Sequence, residues 1–497
     1  MAMSNGGIEN HNGNEDTNHL VQRGIGTSAS QLTHLDPELA DGNHHVENSN
    51  SYTPDIRPSR ETVHHVGKGN AANPNFLLAP ACFHTWWEAG FHLIAAFDSS
   101  YVLGYPGLVM AYLGWIAGPI CVGAFYVGSF YNNYLLATLH ETGGKRHIRS
   151  RDLAGHILGP LMYKATWILQ FLILSISIVG SIILCGESLQ GIWVAYSHNS
   201  SAITLPIWVV ISGCTYGLFA FFVPTLHSLR VHTAASIFLS LIFICIAVGT
   251  SFNDGFRAAA PRDYSLLGTK ADVSFRSIGS LATIAFAFNS NILPEMQAVV
   301  RQPAVRNMHK ALVMQFTLGT FPIILVIMTA YWAYGNTVNP YLLNSTSGPR
   351  PWVALANVTA FLQMIVSIHV YALPMYEFVD TFFGRNYCDK RDWSAHRTLI
   401  RFLTRGTFIA IATFFGALLP FFGDFVALTG AISVFPLNFG LVHLMYLKVN
   451  GKNFTLYQVA WHWVMIGLAV ILTVATATAS VRQIISDATT YRVFSNT

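Results

Sequence analysis

From about residue 84 onward the chain alternates long apolar stretches with short polar loops, whereas the first ~75 residues show no apolar periodicity. A helix that crosses a bilayer needs roughly 20 consecutive apolar residues, within a range of about 17–25. Eleven stretches meet that need: 84–113, 115–139, 163–194, 205–223, 229–252, 275–300, 309–334, 352–380, 400–420, 424–447 and 457–482. Lipid offers no hydrogen-bond partner, so repeated crossings require helices whose backbone groups pair internally. The pattern predicts an all-α integral membrane protein of eleven transmembrane helices. Residues 81–497 are expected to form the transmembrane domain, and residues 1–80 a disordered N-terminal tail.

Composition sharpens this picture. The 497 residues are 52% hydrophobic and only 10% charged, against roughly 25% charged in soluble domains. There is too little charge to cover a soluble surface of this size, which excludes a soluble enzyme. The tail holds nine acids and four bases, leaving 24 bases and 15 acids for the apolar body. These bases sit in short loops between apolar runs and form no solvated patch of the kind that binds nucleic acid. The tail is rich in Asn, Ser, Gly and His, including His44, His45, His64 and His65, and reads as a solvated segment. Its first residues lack the basic and apolar regions of a signal peptide. The six cysteines form no CxxC pair and no Cys/His metal spacing, so neither a disulfide framework nor a metal site is expected.

Orientation follows from where the bases fall. Seventeen lie on the side of the N-terminus, chiefly in 145–151, 301–310 and 384–405, against seven on the other side. The N-terminus is thus expected in the cytoplasm and, with an odd number of spans, the C-terminus outside. The sequons at Asn199 and Asn344 fall on the outer side and are the glycosylation candidates; those at Asn357 and Asn453 fall where they are unusable.

Two spans are interrupted. The first is broken at Asp98-Ser99-Ser100, Gly104 and Pro106-Gly107, and the sixth at Asn289-Ser290-Asn291 and Pro294. Polar, helix-weak clusters at mid-membrane are tolerable only where they line protein or a hydrated cavity. If spans 1–5 and 6–10 are repeats of opposite topology, the breaks occupy matching places, which points to a transporter site near the bilayer midplane. A half-helix beginning in mid-membrane offers free N–H groups and the positive end of its dipole to a substrate carboxylate. Here that half-helix starts near Ser99–Tyr101, with Tyr101, Phe286 and Phe288 as an aromatic wall for a cationic nitrogen. The competing account is a Pro/Gly kink relieved by neighbouring helices.

Acids inside apolar spans are candidates for function. Asp98 is a candidate for pairing a substrate ammonium, for carrying a proton, or for a hydrogen-bonded structural role. Glu295 is a candidate for proton coupling or gating, or for an ion pair with a loop arginine. Glu187 and Glu377 lie near span ends, and Glu88 and Asp424 read as interfacial. His369 and Tyr371 read as core residues, and Ser177, Gly180 and Ser181 as a small-residue packing face that is also open to a role as substrate wall. HExxH, GxSxG, GxxxxGK[ST] and dinucleotide motifs are all missing from the sequence. That pattern is not an enzyme's, and with no ATP site or cofactor any uphill transport must draw on an ion gradient.

The segments YVLGYPGLVMAYLGWIAGP (101–119), LHETGGKRHIRSRDLAGHILG (139–159) and FAFNSNILPEMQAVVRQPAVRNMHKAL (286–312) carry a resemblance, as do YWAYGN (331–336), LLPFFGDFVALTGAISVFPLNF (418–439) and VRQIISDATTYRVF (481–494). The chain resembles the plant amino acid/auxin permease family, within the amino acid–polyamine–organocation transporters, and most closely the proline, glycine betaine and GABA branch. The resemblance implies a five-plus-five inverted repeat with broken first and sixth helices, plus one extra helix. It also implies proton-coupled import at the plasma membrane, with a site between spans 1, 3, 6 and 8. Carried over by position, that site comprises Asp98, Ser99, Ser100, Tyr101, Phe286, Phe288, Asn289 and Asn291, with Asp98 and Glu295 as proton-coupling candidates. Asp98 stands where the proline branch has Asn, and 86–93 looks more like the GABA-preferring branch. The expected partners are a small amino acid or betaine, protons and the lipid bilayer. The leading expectation is a proton-driven symporter for proline-type solutes. The alternatives are an amino acid or GABA permease of different selectivity and a transporter-like nutrient receptor.

Overall fold

The computed structural model describes residues 85–490 apart from 98, 145, 198–202, 223–225, 258–260, 267, 291 and 385–394. Asp98, Asn291, Asn199 and the predicted tail therefore lie outside the described residues. Helix falls within each of the eleven predicted stretches, and the described residues form no strand.

The first span is helical over Trp86–Phe97, resumes as a 3-10 turn at Ser100–Leu103, and widens into a π-helical turn at Pro106–Met110. It then runs into Ala111–Leu139, which is interrupted at Gly114 with φ 69° and ψ −175°. A β-carbon is strained at such a backbone angle, so this glycine lets spans one and two meet without a loop. The third to fifth spans are Pro160–Tyr196, Leu205–Phe222 and Leu226–Arg257. The sixth is Lys270–Ala287 followed by Leu293–Ala298. The seventh comprises Ala304–Met314, a π-helical turn at Gln315–Gly319, and Thr320–Tyr334. The eighth and ninth are Arg350–Gly384 and Ala395–Leu418. The tenth runs through Phe422–Thr429, a long π-helical stretch at Gly430–Leu441, and Val442–Asn450; the eleventh is Leu456–Thr490.

Among the described residues, eight helices are long and apolar enough to cross a membrane by length and composition. The difference from eleven has a physical origin. Each broken span is split into pieces, with the last piece of the first continuous with the second span as Pro106–Leu139, and the apolar part of the ninth is the shorter Phe402–Leu418.

The packing of these helices is nearly unchanged when each span number is shifted by five. Span three packs on ten as eight packs on five, span one on seven as six on two, and span five on seven as ten on two. Trp86–Phe97 touches Leu293–Ala298, while Pro106–Met110 touches Lys270–Ala287, so the two broken spans run antiparallel past one another. That is the arrangement expected of an inverted repeat. Leu456–Thr490 packs on the tenth span and on Lys270–Ala287, outside the symmetric set. Its outward side chains, such as Leu468, Val470 and Val474, are exposed apolar groups suited to lipid.

Candidate substrate site at the helix breaks

The backbone unwinds where the sequence is weakest as helix. Ser99 is extended at φ −80° and ψ 166°. In the sixth span, Phe288 at φ −101°, ψ 18° and Ile292 at φ −100°, ψ 9° bracket the gap, and Pro294 opens the next half-helix without needing a donor. Both gaps are deep inside the protein: Ser99, Ser100, Tyr101, Phe288 and Ser290 are all buried. Backbone and hydroxyl groups there must find partners, because an unmade hydrogen bond in such surroundings is costly.

At the first break those partners come from spans eight and three. Ser100 N donates to Gln363 Oε1 at 3.0 Å, and Ser100 Oγ lies 2.9 Å from both Ala360 O and that same Oε1. Gln363 Nε2 in turn donates to Ser367 Oγ at 2.8 Å. The N–H at Ser100, expected to be free for a carboxylate, is thus taken by a side chain in this conformation. Tyr101 OH donates to Ser177 O at 2.7 Å and lies 2.9 Å from Ser181 Oγ. The small-residue face of span three is therefore the place where Tyr101 docks.

At the second break, Ser290 Oγ donates to Gln315 Oε1 at 3.1 Å, while Gln315 Nε2 donates to Leu93 O at 3.2 Å. One fully buried glutamine on span seven thereby ties both broken spans together. Gln297 Nε2 does similar work for the second half of span six, donating to Ala137 O on span two at 2.8 Å.

The predicted aromatic wall divides in two. Tyr101 meets Phe286 at 5.2 Å between ring centroids, and also Phe422 of the tenth span at 5.6 Å. Phe288 turns instead toward Phe97 at 6.4 Å and Tyr126 at 6.0 Å, in a cluster that Phe316 completes. Asn289 is buried beside these rings at 9% exposure. The structure thus brings Ser99, Ser100, Tyr101 and Phe286 to one side of the breaks and Phe288 to the other.

Glu295 lies one turn beyond the second break. It lines a cavity of about 40 Å³ with Ser290, Gln170, Asn438 and Ser150, between spans two, three, six, eight and ten. Its Oε2 is buried and has no hydrogen-bond partner. No side-chain contact within 4 Å is seen to pair Glu295 with a base among the described residues, but Arg149 and Arg151 of the 145–151 segment lie near enough to act on its charge. On the same side, His140 follows the end of the second span and is buried at 1% exposure. Burial, and then the nearby Arg146 charge, push its pKa down to about 4, so the ring is neutral at cellular pH.

On span eight, His369 packs against Tyr216, Phe219 and Tyr376, as a core histidine does. Asp424, in the first turn of the tenth span, is packed within the protein at 7% exposure. Asn344 is exposed at the end of a short 3-10 turn.

A profile of the family described as "Transmembrane amino acid transporter protein" matches residues 84–486. Among curated proteins, GABA transporter 1 of Arabidopsis thaliana is 30% identical over 431 residues, covering 83% of this chain and 93% of that protein. Lysine histidine transporter-like 6 of the same organism is 26% identical over 451 residues, covering 88% of this chain and 98% of that one. Amino acid permease 2, also from Arabidopsis thaliana, is 24% identical over 455 residues, covering 83% and 90%.

Proposed function

Because this chain belongs to the transmembrane amino acid transporter family, we propose that it is a proton-coupled symporter importing proline and related compatible solutes, including glycine betaine and GABA, across the plasma membrane. The observation that carries the reading is the meeting of two antiparallel broken spans deep in the protein, with unwound backbone at Ser99–Ser100 and at Phe288–Ile292. Proline, glycine betaine and GABA each join a carboxylate to a cationic nitrogen, which suits polar groups of the unwound segments on one side and aromatic faces on the other. Ser99, Ser100, Tyr101, Phe286, Phe288, Asn289 and Asn291 form the binding surface, with Asp98 serving the cationic end or the proton. The likeness to a GABA transporter favours a substrate of this chemistry. The excess of bases on one side supports a cytoplasmic N-terminus with the tail of residues 1–80, and an extracellular C-terminus.

Proton coupling is assigned to Glu295 together with Asp98. A buried carboxylate with one oxygen lacking a hydrogen-bond partner, beside a cavity and one turn from the break, is suited to gain and lose a proton as access changes. The deciding experiment is uptake of labelled proline, glycine betaine and GABA in a transport-deficient cell across external pH, with and without an uncoupler. Saturable uptake of at least one, abolished by the uncoupler, is expected. Gradient-independent equilibration would make the protein a facilitator, and no uptake of any amino acid would favour a receptor. Glu295→Gln should keep surface expression and substrate exchange but lose most of the gradient-driven accumulation, roughly tenfold or more. A variant that accumulates like the parent would remove Glu295 from the coupling path.

A further inference from the structure

The buried glutamine on span eight has a role that neither the family match nor the motifs assign. We propose that Gln363 is a positioning residue for the substrate site: its neutral amide fixes the unwound backbone at Ser99–Ser100 in the geometry that meets substrate. This rests on the reading of the first break as part of that site.

The hydrogen-bond chemistry determines how the amide is turned. Ser100 N is a donor only, so the atom 3.0 Å from it must be the amide oxygen, which leaves Nε2 to donate to Ser367 Oγ at 2.8 Å. Ser100 Oγ has one proton and two acceptors at 2.9 Å, Ala360 O and Gln363 Oε1, and satisfies one of them at a time. Gln363 is fully buried, as are Ser100 and Ala360, and Ser367 is 8% exposed. The amide therefore holds the backbone donor at the junction of the extended Ser99 and the 3-10 turn at Ser100–Leu103, from a helix that also packs tightly on span three. Through Tyr101, which docks on Ser177 and Ser181 of span three, the same short segment is held from both sides. These side-chain contacts fix the Ser99–Tyr101 backbone from outside, beside the short 3-10 bonds from Val102 N to Ser99 O and from Gly104 N to Tyr101 O.

The side-chain type matters as much as the place. A leucine of similar volume leaves Ser100 N–H without an acceptor. A glutamate keeps the acceptor and, when protonated, also the donor to Ser367; when ionised it loses that donor and adds a buried charge. The amide performs both functions at every pH.

The test is uptake of labelled GABA and proline by Gln363→Leu, Gln363→Glu and Ser367→Ala, with rates normalised to surface copies. For Gln363→Leu, KM is expected to rise about tenfold or more while the maximal rate per copy stays within about twofold. Gln363→Glu should restore a near-parental KM at acidic external pH and show a KM that climbs as pH rises, a dependence beyond that of the parent. Ser367→Ala should raise KM several-fold. A merely structural role would lower surface copies or maximal rate and leave KM and its pH profile unmoved. If Gln363→Leu does not reach the surface, the two milder variants decide: parental KM values at all pH for both overturn the proposal. Absence of saturable uptake by the parent protein would instead overturn the transporter reading itself.

Discussion

Gly430→Ala is expected to leave little folded protein in the membrane, whereas Gly467→Ala is expected to be silent. Gly430 begins the π-helical stretch of the tenth span and lies directly against the backbone of Lys270–Ala287. A β-carbon there would collide with the carbonyl oxygen of Ala282 and come within 2.7 Å of its carbonyl carbon and 3.1 Å of its α-carbon. Those atoms are helical backbone with no rotamer to change, so the two spans must separate. Overpacking of a well-filled core costs about 1–3 kcal/mol and occasionally more, and a clash between two backbones belongs at the upper end. Gly467 of the eleventh span has nothing within 4 Å of the equivalent position, and alanine is the better helix former by about 1 kcal/mol. Fluorescence-detected gel filtration and thermal melting of the two variants measure the contrast. A Gly430→Ala protein that melts with the parent would show that span ten does not pack backbone to backbone on span six.

The spans and both breaks are legible in the sequence because lipid leaves the chain few options. Long apolar runs must become helices, and clusters of polar, helix-weak residues such as Asp98-Ser99-Ser100 and Asn289-Ser290-Asn291, each followed by a proline (Pro106 and Pro294), mark where a span is most readily interrupted. The uncharged partners of the breaks are not legible. Gln297, Gln315 and Gln363 each have 0% exposure and each bind a backbone group of a broken span or of its neighbour. In the sequence they look like ordinary polar residues within apolar runs, and a search for intramembrane charge passes over them. A glutamine carries both a donor and an acceptor without the cost of a buried ion, which is what an unwound backbone requires. Such residues are the signal that marks spans seven and eight as supports of the site. Phe422 is hidden for a different reason: its contact with Tyr101 bridges 321 positions of chain, and no periodicity encodes it. The depth of Asp424 is equally hidden, because it depends on how the tenth span begins, which a run of hydrophobic residues does not specify.

Tyr101 carries the second large effect, and two substitutions separate its parts. Tyr101→Ala removes a fully buried ring that touches Phe286 and Phe422, and truncating a large aromatic of this kind costs about 3–5 kcal/mol. Uptake should vanish, with reduced surface expression. Tyr101→Phe keeps the ring and removes only the hydroxyl. Ser181 Oγ still donates to Ser177 O at 2.8 Å, so no group is orphaned and the loss is that of one net hydrogen bond, about 0.5–1.5 kcal/mol. Expression should therefore remain near the parental level, while KM rises up to about tenfold as the first break loses its tie to span three. The hydroxyl passes beside Gly180, where a β-carbon would lie 3.1 Å from it, so Gly180→Ala should reproduce the Tyr101→Phe defect by crowding the same contact. Because both changes act on one interaction, the double variant should be little worse than either alone. Full additivity of the two defects in KM would mean that Tyr101 does not act through span three.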